Sequence, residues 1–189
     1  MKKIEDAFEP FPELETDRTR LRRIRWDDLE DMYEYCSVPE VSKYTVWDVH
    51  QSREDTRRFI EFIMQRYNQQ KVGPWGIEDK QSGALIGTCS FINWDNRSQK
   101  AELGYVLSNR YWNRGYMTEA IGRVIEFGFN RLQLVRIEAK CHPDNAGSFR
   151  VMEKTGMKQE GRLRSYLKVK DRFEDILIYS ILNPSLVQN

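Results

Sequence analysis

Cysteine is scarce in this sequence: Cys36, Cys89 and Cys141 are the three in 189 residues, far apart and in no C-x-x-C pair. An odd, scattered set argues against a disulfide framework and reads as buried free thiols in a reducing cytosol. Cys141 and His142 are adjacent but have no further ligand at metal spacing, so no metal is expected. No stretch approaches the ~18 apolar residues of a membrane helix. The start, MKKIEDAFEP, turns acidic where a signal peptide needs an apolar run. An excess of one charge is missing too. Thirty basic against 29 acidic side chains leave a formal charge of +1, so neither nucleic acid nor an anionic membrane is expected as a partner. A cytoplasmic protein is the expectation, with monomer and homodimer both left open.

What the sequence does have is the composition of a folded globular chain, 40% apolar, 12% aromatic and 31% charged. One domain over residues 1–189 is expected, with a core of about 19–182 and an N-terminal arm, 1–16, lying on it without chemistry. TRLRRI from Thr19 to Ile24 alternates like a strand with one wet face, and Asp27 is placed to cap a helix running to about Tyr35. A second helix begins near Ser52, with Phe59, Ile60, Ile63 and Tyr67 on one stripe. PWGIED, ALIGTCSFINW and KAELGYVLS then read as an antiparallel meander. A helix from about Asn113 to Arg131 presents Met117, Ile121, Val124, Ile125 and Gly128 at helical spacing, and LVRIEAKC follows as a buried strand. Asp144 or Asn145 caps a helix that stops at Gly156, and two strands, about Lys158 to Val169 and Phe173 to Leu182, close the chain.

Chemistry concentrates in ELGYVLSNRYWNRGYMTEA, where a strand passes into a helix through a turn containing Gly115. Such a helix start leaves backbone N–H groups unpaired with the positive end of the dipole behind them, which suits a phosphate. Arg110 and Arg114 add cations. The segment resembles the acyl-CoA-binding signature of the GCN5-related N-acetyltransferases, the GNAT superfamily, Q/R-x-x-G-x-G/A, with Arg110, Asn113 and Gly115 at its first, fourth and sixth positions. Asn113 departs from the usual glycine, though asparagine tolerates positive φ better than most residues. YWNRGYMTEA is similar to the branch that acetylates ribosomal-protein N-termini, and N-x-x-S followed by K-x-G-M in HPDNAGSFRVMEKTGMKQEGRLR matches its next helix.

The resemblance implies an α/β fold with a twisted, mostly antiparallel sheet of six to seven strands, splayed at its centre, and about four flanking helices. It implies acetyl-CoA as co-substrate and a primary amine, such as a protein N-terminus, as acceptor. The amides around Arg114, Gly115, Tyr116, Met117 and Thr118 would hold the pyrophosphate. The backbone of Tyr105, Val106 and Leu107 would bond the pantetheine, one amide of Val106 or Leu107 polarising the thioester carbonyl. Asn145 would reach the same arm, a role compatible with capping alone. Glu102 is the candidate base, against the plainer reading of a solvated glutamate, and Ser148 the residue that would bond the sulfur, against an ordinary first-turn serine. The superfamily often has a proton-donating tyrosine where Met152 stands here. Tyr44, Trp47 and Tyr166 are the candidates for lining the acceptor cleft; Glu119 reads as structural, and Phe59, Phe62, Phe127 and Phe129 as core. Transfer to a polyamine, aminoglycoside or amino acid, and a non-catalytic acyl-CoA-binding module, are the alternatives.

Overall fold

The computed structural model describes residues 3–69 and 72–187. Eight strands, β1 (Leu14–Glu15), β2 (Thr19–Arg23), β3 (Trp75–Asp79), β4 (Leu85–Asp95), β5 (Lys100–Leu107), β6 (Arg136–Cys141), β7 (Lys158–Val169) and β8 (Arg172–Leu182), form one sheet. Its order is β1-β2-β3-β4-β5-β6-β8-β7. The α-helices among the described residues are α1 (Leu29–Cys36), α2 (Pro39–Ser42), α3 (Arg53–Gln69), α4 (Tyr116–Asn130) and α5 (Ala146–Lys154). Beyond the expected strands and helices there are two additions: β1, two residues long, and α2, a single turn opened by Pro39. Neither is long enough to display a period.

The centre of the sheet is buried on both faces, whereas β7 at its edge is largely exposed. Against one face α4 packs Met117, Ile121, Val124, Ile125 and Gly128, the whole of the stripe read from the sequence, onto Phe91, Leu103 and Ile137. Gly128 is required there, because a Cβ would stand 2.7 Å from the Ile137 Cδ1. On the other face α1 and α3 bury Met32, Tyr35, Ile60, Ile63 and Tyr67 against Ile24 and Leu85. Phe62 corrects the expectation of a core residue: it is 52% exposed, because on α3 it falls outside the stripe made by Ile60, Ile63 and Tyr67.

Two further expectations are corrected in the first α/β connection. Asp28, not Asp27, organises the start of α1: its carboxylate accepts from the Arg25 N–H at 2.7 Å and from both terminal nitrogens of Arg22 at 2.8 and 2.7 Å. Arg22 is accordingly buried, on what alternation made the wet face of β2, and pairs also with Glu78. Removing one partner from such a network typically costs about 3–5 kcal/mol.

The central feature is where β5 and β6 part. They are the parallel pair, joined by α4 as crossover, and their register runs from Lys100 opposite Arg136 to Leu103 opposite Ala139. Pairing stops there, although β5 continues to Leu107 and β6 to Cys141. The backbone of residues 104–107 keeps its β4 partners, and no strand among the described residues pairs with its other side. None of the helices among the described residues is long and apolar enough to cross a membrane.

Candidate active site

At the C-terminal end of β5 the chain turns into α4. Asn113 and Gly115 both hold left-handed backbone, with φ of 59° and 82°. Gly115 is the N-cap and supplies no capping side chain, and the first helical bond is Glu119 N–H to the Gly115 carbonyl at 3.0 Å. The amides of Tyr116, Met117 and Thr118 therefore lie ahead of the helix's own hydrogen bonding, at the positive end of its dipole. Thus the helix proper begins at Tyr116, three residues later than its sequence start at Asn113, since the intervening residues make the turn.

The cations are arranged differently from the sequence expectation. Arg110, 70% exposed on its side chain, pairs with Glu34 on α1. Arg114 stays at the turn, where its carbonyl accepts from the Arg18 Nη1 at 3.0 Å. Arg18 is the cation the sequence reading missed. Its guanidinium lies 4.3 Å from the Tyr116 ring centroid, and its Nε and N–H donate to the Glu119 carboxylate at 2.7 and 2.9 Å. Burial would push the Glu119 carboxyl up, but hydrogen bonds from Thr16 and Arg18 outweigh it and hold the group below its usual range. No local signal ties residues 101 positions apart.

On the α5 side of the parting strands stand two hydroxyls. The Tyr105 Oη lies 3.0 Å from the Ser148 Oγ and 3.1 Å from the Ser148 carbonyl. Asn145 caps α5, its Oδ1 accepting from the Ser148 N–H at 3.2 Å. Burial pushes the Tyr105 phenol well up and the Cys141 thiol to about 11, partly offset by Ser148 in both cases. Both groups thus keep their protons near neutrality. Met152 is a core residue at 1% exposure. A phenol is present after all, contributed by β5 instead of the helix; sequence reasoning had singled out only the backbone of Tyr105.

On the opposite face of the sheet Glu102 accepts from the Lys140 Nζ at 2.9 Å and from the Asn93 Nδ2 at 3.2 Å, both at its Oε2. The ammonium also lies 5.2 Å from the Tyr166 ring. Burial pulls the Lys140 ammonium down, yet its contacts with Glu102 and Tyr166 outweigh this and raise it above the ordinary lysine value. Tyr166 is 51% exposed and so joins Glu102 through Lys140. Tyr44 stacks on His142 with centroids 5.0 Å apart. The Lys170 Nζ donates to the Ser42 carbonyl at 2.8 Å, tying the β7–β8 turn to α2. Trp47 packs inward against the α1–α3 core, 5.6 Å from His50. The structure thus gathers Glu102, Lys140 and Tyr166, sets Tyr44 beside the end of β6, and packs the half-buried Trp47 against the α1–α3 core.

The sheet opens between its two parallel strands, and a helix start whose first amides lie ahead of its own hydrogen bonding follows β5, an arrangement with room for an extended ligand in the gap. Comparison with known proteins agrees: residues 18–158 match the family described as Acetyltransferase (GNAT) domain. An uncharacterized N-acetyltransferase, p20, of Bacillus licheniformis is 35% identical over 173 residues, covering 89% of this chain and 95% of its own. The ribosomal-protein-serine acetyltransferase of Escherichia coli is 28% identical over 132 residues, 69% and 72% of the two chains. The solved structure of a GNAT-family acetyltransferase from Bacillus anthracis superposes with a TM-score of 0.81 at 30% identity, covering 91% of this chain and 99% of that one. The chain belongs to the GNAT acetyltransferase family.

Proposed function

We propose that this protein transfers an acetyl group from acetyl-CoA to the α-amino group of a protein N-terminus, by direct attack within a ternary complex. The observation that carries the reading is the end of β5–β6 pairing at Leu103 and Ala139, which leaves residues 104–107 to bond an extended pantetheine beside the turn at Asn113–Gly115. The amides of Tyr116, Met117 and Thr118 receive the pyrophosphate, with Arg114 and Arg18 beside it. An amide of Val106 or Leu107 polarises the thioester carbonyl. Glu102 takes a proton from the incoming ammonium directly or through water, the neutral nitrogen bonds the acyl carbon, the C–S bond breaks, and the departing thiolate, beside the Ser148 hydroxyl, takes up the nitrogen's second proton through solvent.

The acceptor is argued from charge. A peptide α-amino group, with a pKa of about 7.7–8.0, is partly neutral at cytosolic pH, whereas lysine at about 10.4 is not. A polyamine would need uncompensated carboxylates. Here Glu102, the carboxylate proposed as the base, is compensated by Lys140. The Escherichia coli relative's name points the same way. Purified protein given acetyl-CoA with N-terminal peptides, polyamines, aminoglycosides and free amino acids, with released thiol as readout, tests the reading. Turnover on peptides beginning with serine or alanine, and little on the rest, is expected; turnover on polyamines alone overturns the acceptor assignment, and no acceptor-dependent thiol release overturns catalysis.

A further inference from the structure

We infer that Lys140 and Asn93 are positioning residues that fix one oxygen of Glu102 and turn the other toward the acceptor amine. The inference rests on the reading of Glu102 as the base. Both donors, the Lys140 Nζ at 2.9 Å and the Asn93 Nδ2 at 3.2 Å, bond Oε2, and Oε1 accepts from no group among the described residues. An unrestrained carboxylate exchanges its two oxygens by rotation about its last torsion, whose energy profile is broad. Two donors converging on one oxygen remove that freedom and leave a directed lone pair, the preorganisation that acid–base catalysis requires.

Both donors stand where the sheet departs from regularity. Lys140 is the first residue of β6 beyond the last pair with β5, Leu103 opposite Ala139, so its side chain crosses at the point where the strands separate. Asn93 follows a register shift in β4 between Phe91 and Asn93, which sets it directly opposite Glu102. In unbroken antiparallel register, Phe91 opposite Leu103 would put Ile92 in that place. The extra residue thus exchanges an apolar side chain for an amide. The Tyr166 ring receives the ammonium on a third side. Lys140 and Glu102 expose only 21% and 13% of their side chains, which limits solvent competition for the bond between them.

Lys140→Met keeps the aliphatic stem and removes the charge, Lys140→Arg keeps the charge, and Asn93→Ala removes the amide. Each is measured for kcat and for KM of both substrates, in the parent and in a Glu102→Gln background. Expected are a kcat for Lys140→Met lowered about tenfold with KM for acetyl-CoA unchanged, partial rescue by Lys140→Arg, a smaller loss for Asn93→Ala, and no further loss from any of them once Glu102 is glutamine. Equal losses in both backgrounds would mean that Lys140 and Asn93 act independently of Glu102, and that result overturns the inference. So does a Glu102→Gln enzyme that loses turnover while Lys140→Met and Asn93→Ala remain at the parent rate, an outcome that spares Glu102 as the base. A Glu102→Gln enzyme with full turnover removes the base and the inference together.

Discussion

The proposed reaction puts Tyr105 and Ser148 on the sulfur side of the gap and Glu102 on the amine side, so each can be tested by removing one polar atom. Glu102→Gln barely changes shape; it should keep acetyl-CoA affinity and lower turnover by about 10² to 10⁴, the range of a positioned acid or base. The loss should shrink as pH nears the amine pKa, where solvent already supplies the neutral nucleophile; a flat ratio of parent to variant across the pH–rate profile would remove Glu102 from proton transfer. Ser148→Ala should cost a smaller, pH-insensitive factor. Tyr105→Phe removes the hydroxyl 3.0 Å from the Ser148 Oγ and should reproduce part of that loss, with about 1 kcal/mol of stability for the missing hydrogen bond. An unchanged rate in both variants would leave the thiolate to be protonated by solvent. At this scale the sequence was legible for residue types and much less for partners. Glu102 was picked out by its place and alternation on β5 and Ser148 by the N-x-x-S motif, but Lys140, Tyr105 and Arg18 have chemistry-bearing neighbours that are 38, 43 and 101 positions away, distances only the fold closes.

Elements were legible in proportion to their length. The eleven- and twelve-residue strands β4 and β7, and the helices α3, α4 and α5, carry several cycles of their period and lie within a few residues of where alternation and helical spacing put them. β1 and α2 are too short to repeat anything. Asp28, the residue at the N-cap position of α1, turns its carboxylate to the buried Arg22 and not to the helix, a demand invisible locally. The start of α4 supports an experiment at this scale. Gly115 has φ +82°, and an added Cβ would meet the Arg18 Nη2 at 3.4 Å. Gly115→Ala should therefore cost about 1 kcal/mol or more in chemical denaturation. Gly115→Glu should also abolish CoA binding, by placing an anion where the pyrophosphate meets the backbone. Asn113, at φ 59°, should accept glycine without losing CoA affinity. Calorimetry separates the cases: parent-like CoA binding by Gly115→Glu would move the phosphate away from this turn.

For the whole molecule, ionisation predicts a stability plateau with edges on both sides. Burial lowers the His50 pKa, so the unfolded chain binds that proton more readily and stability falls as pH drops below the usual histidine value of about 6.5. The carboxylates extend the decline. Ion pairing with Arg136 and a bond from Ser180 pull Glu160 down to about 2 from 4.5, and hydrogen bonds hold Glu119 and Asp175 below their usual values. A depressed carboxylate stabilises the fold above its unfolded pKa, and that contribution is lost as pH falls through the folded one, for Glu160 between 4.5 and about 2. On the alkaline side the sign reverses. Burial raises Cys36 to about 12 and Cys141 to about 11 from 9.0; these thiols stay protonated in the fold, so stability is complete below about pH 8.5 and falls above it as the unfolded chain loses the protons first. Melting temperature measured from pH 3 to 10 should therefore be highest between about 6.5 and 8.5, the interval free of these titrations. Glu160→Gln should flatten the slope below pH 4.5 relative to the parent, and Cys141→Ala the slope above about 8.5. Slopes unchanged in both variants would assign the two edges to other groups.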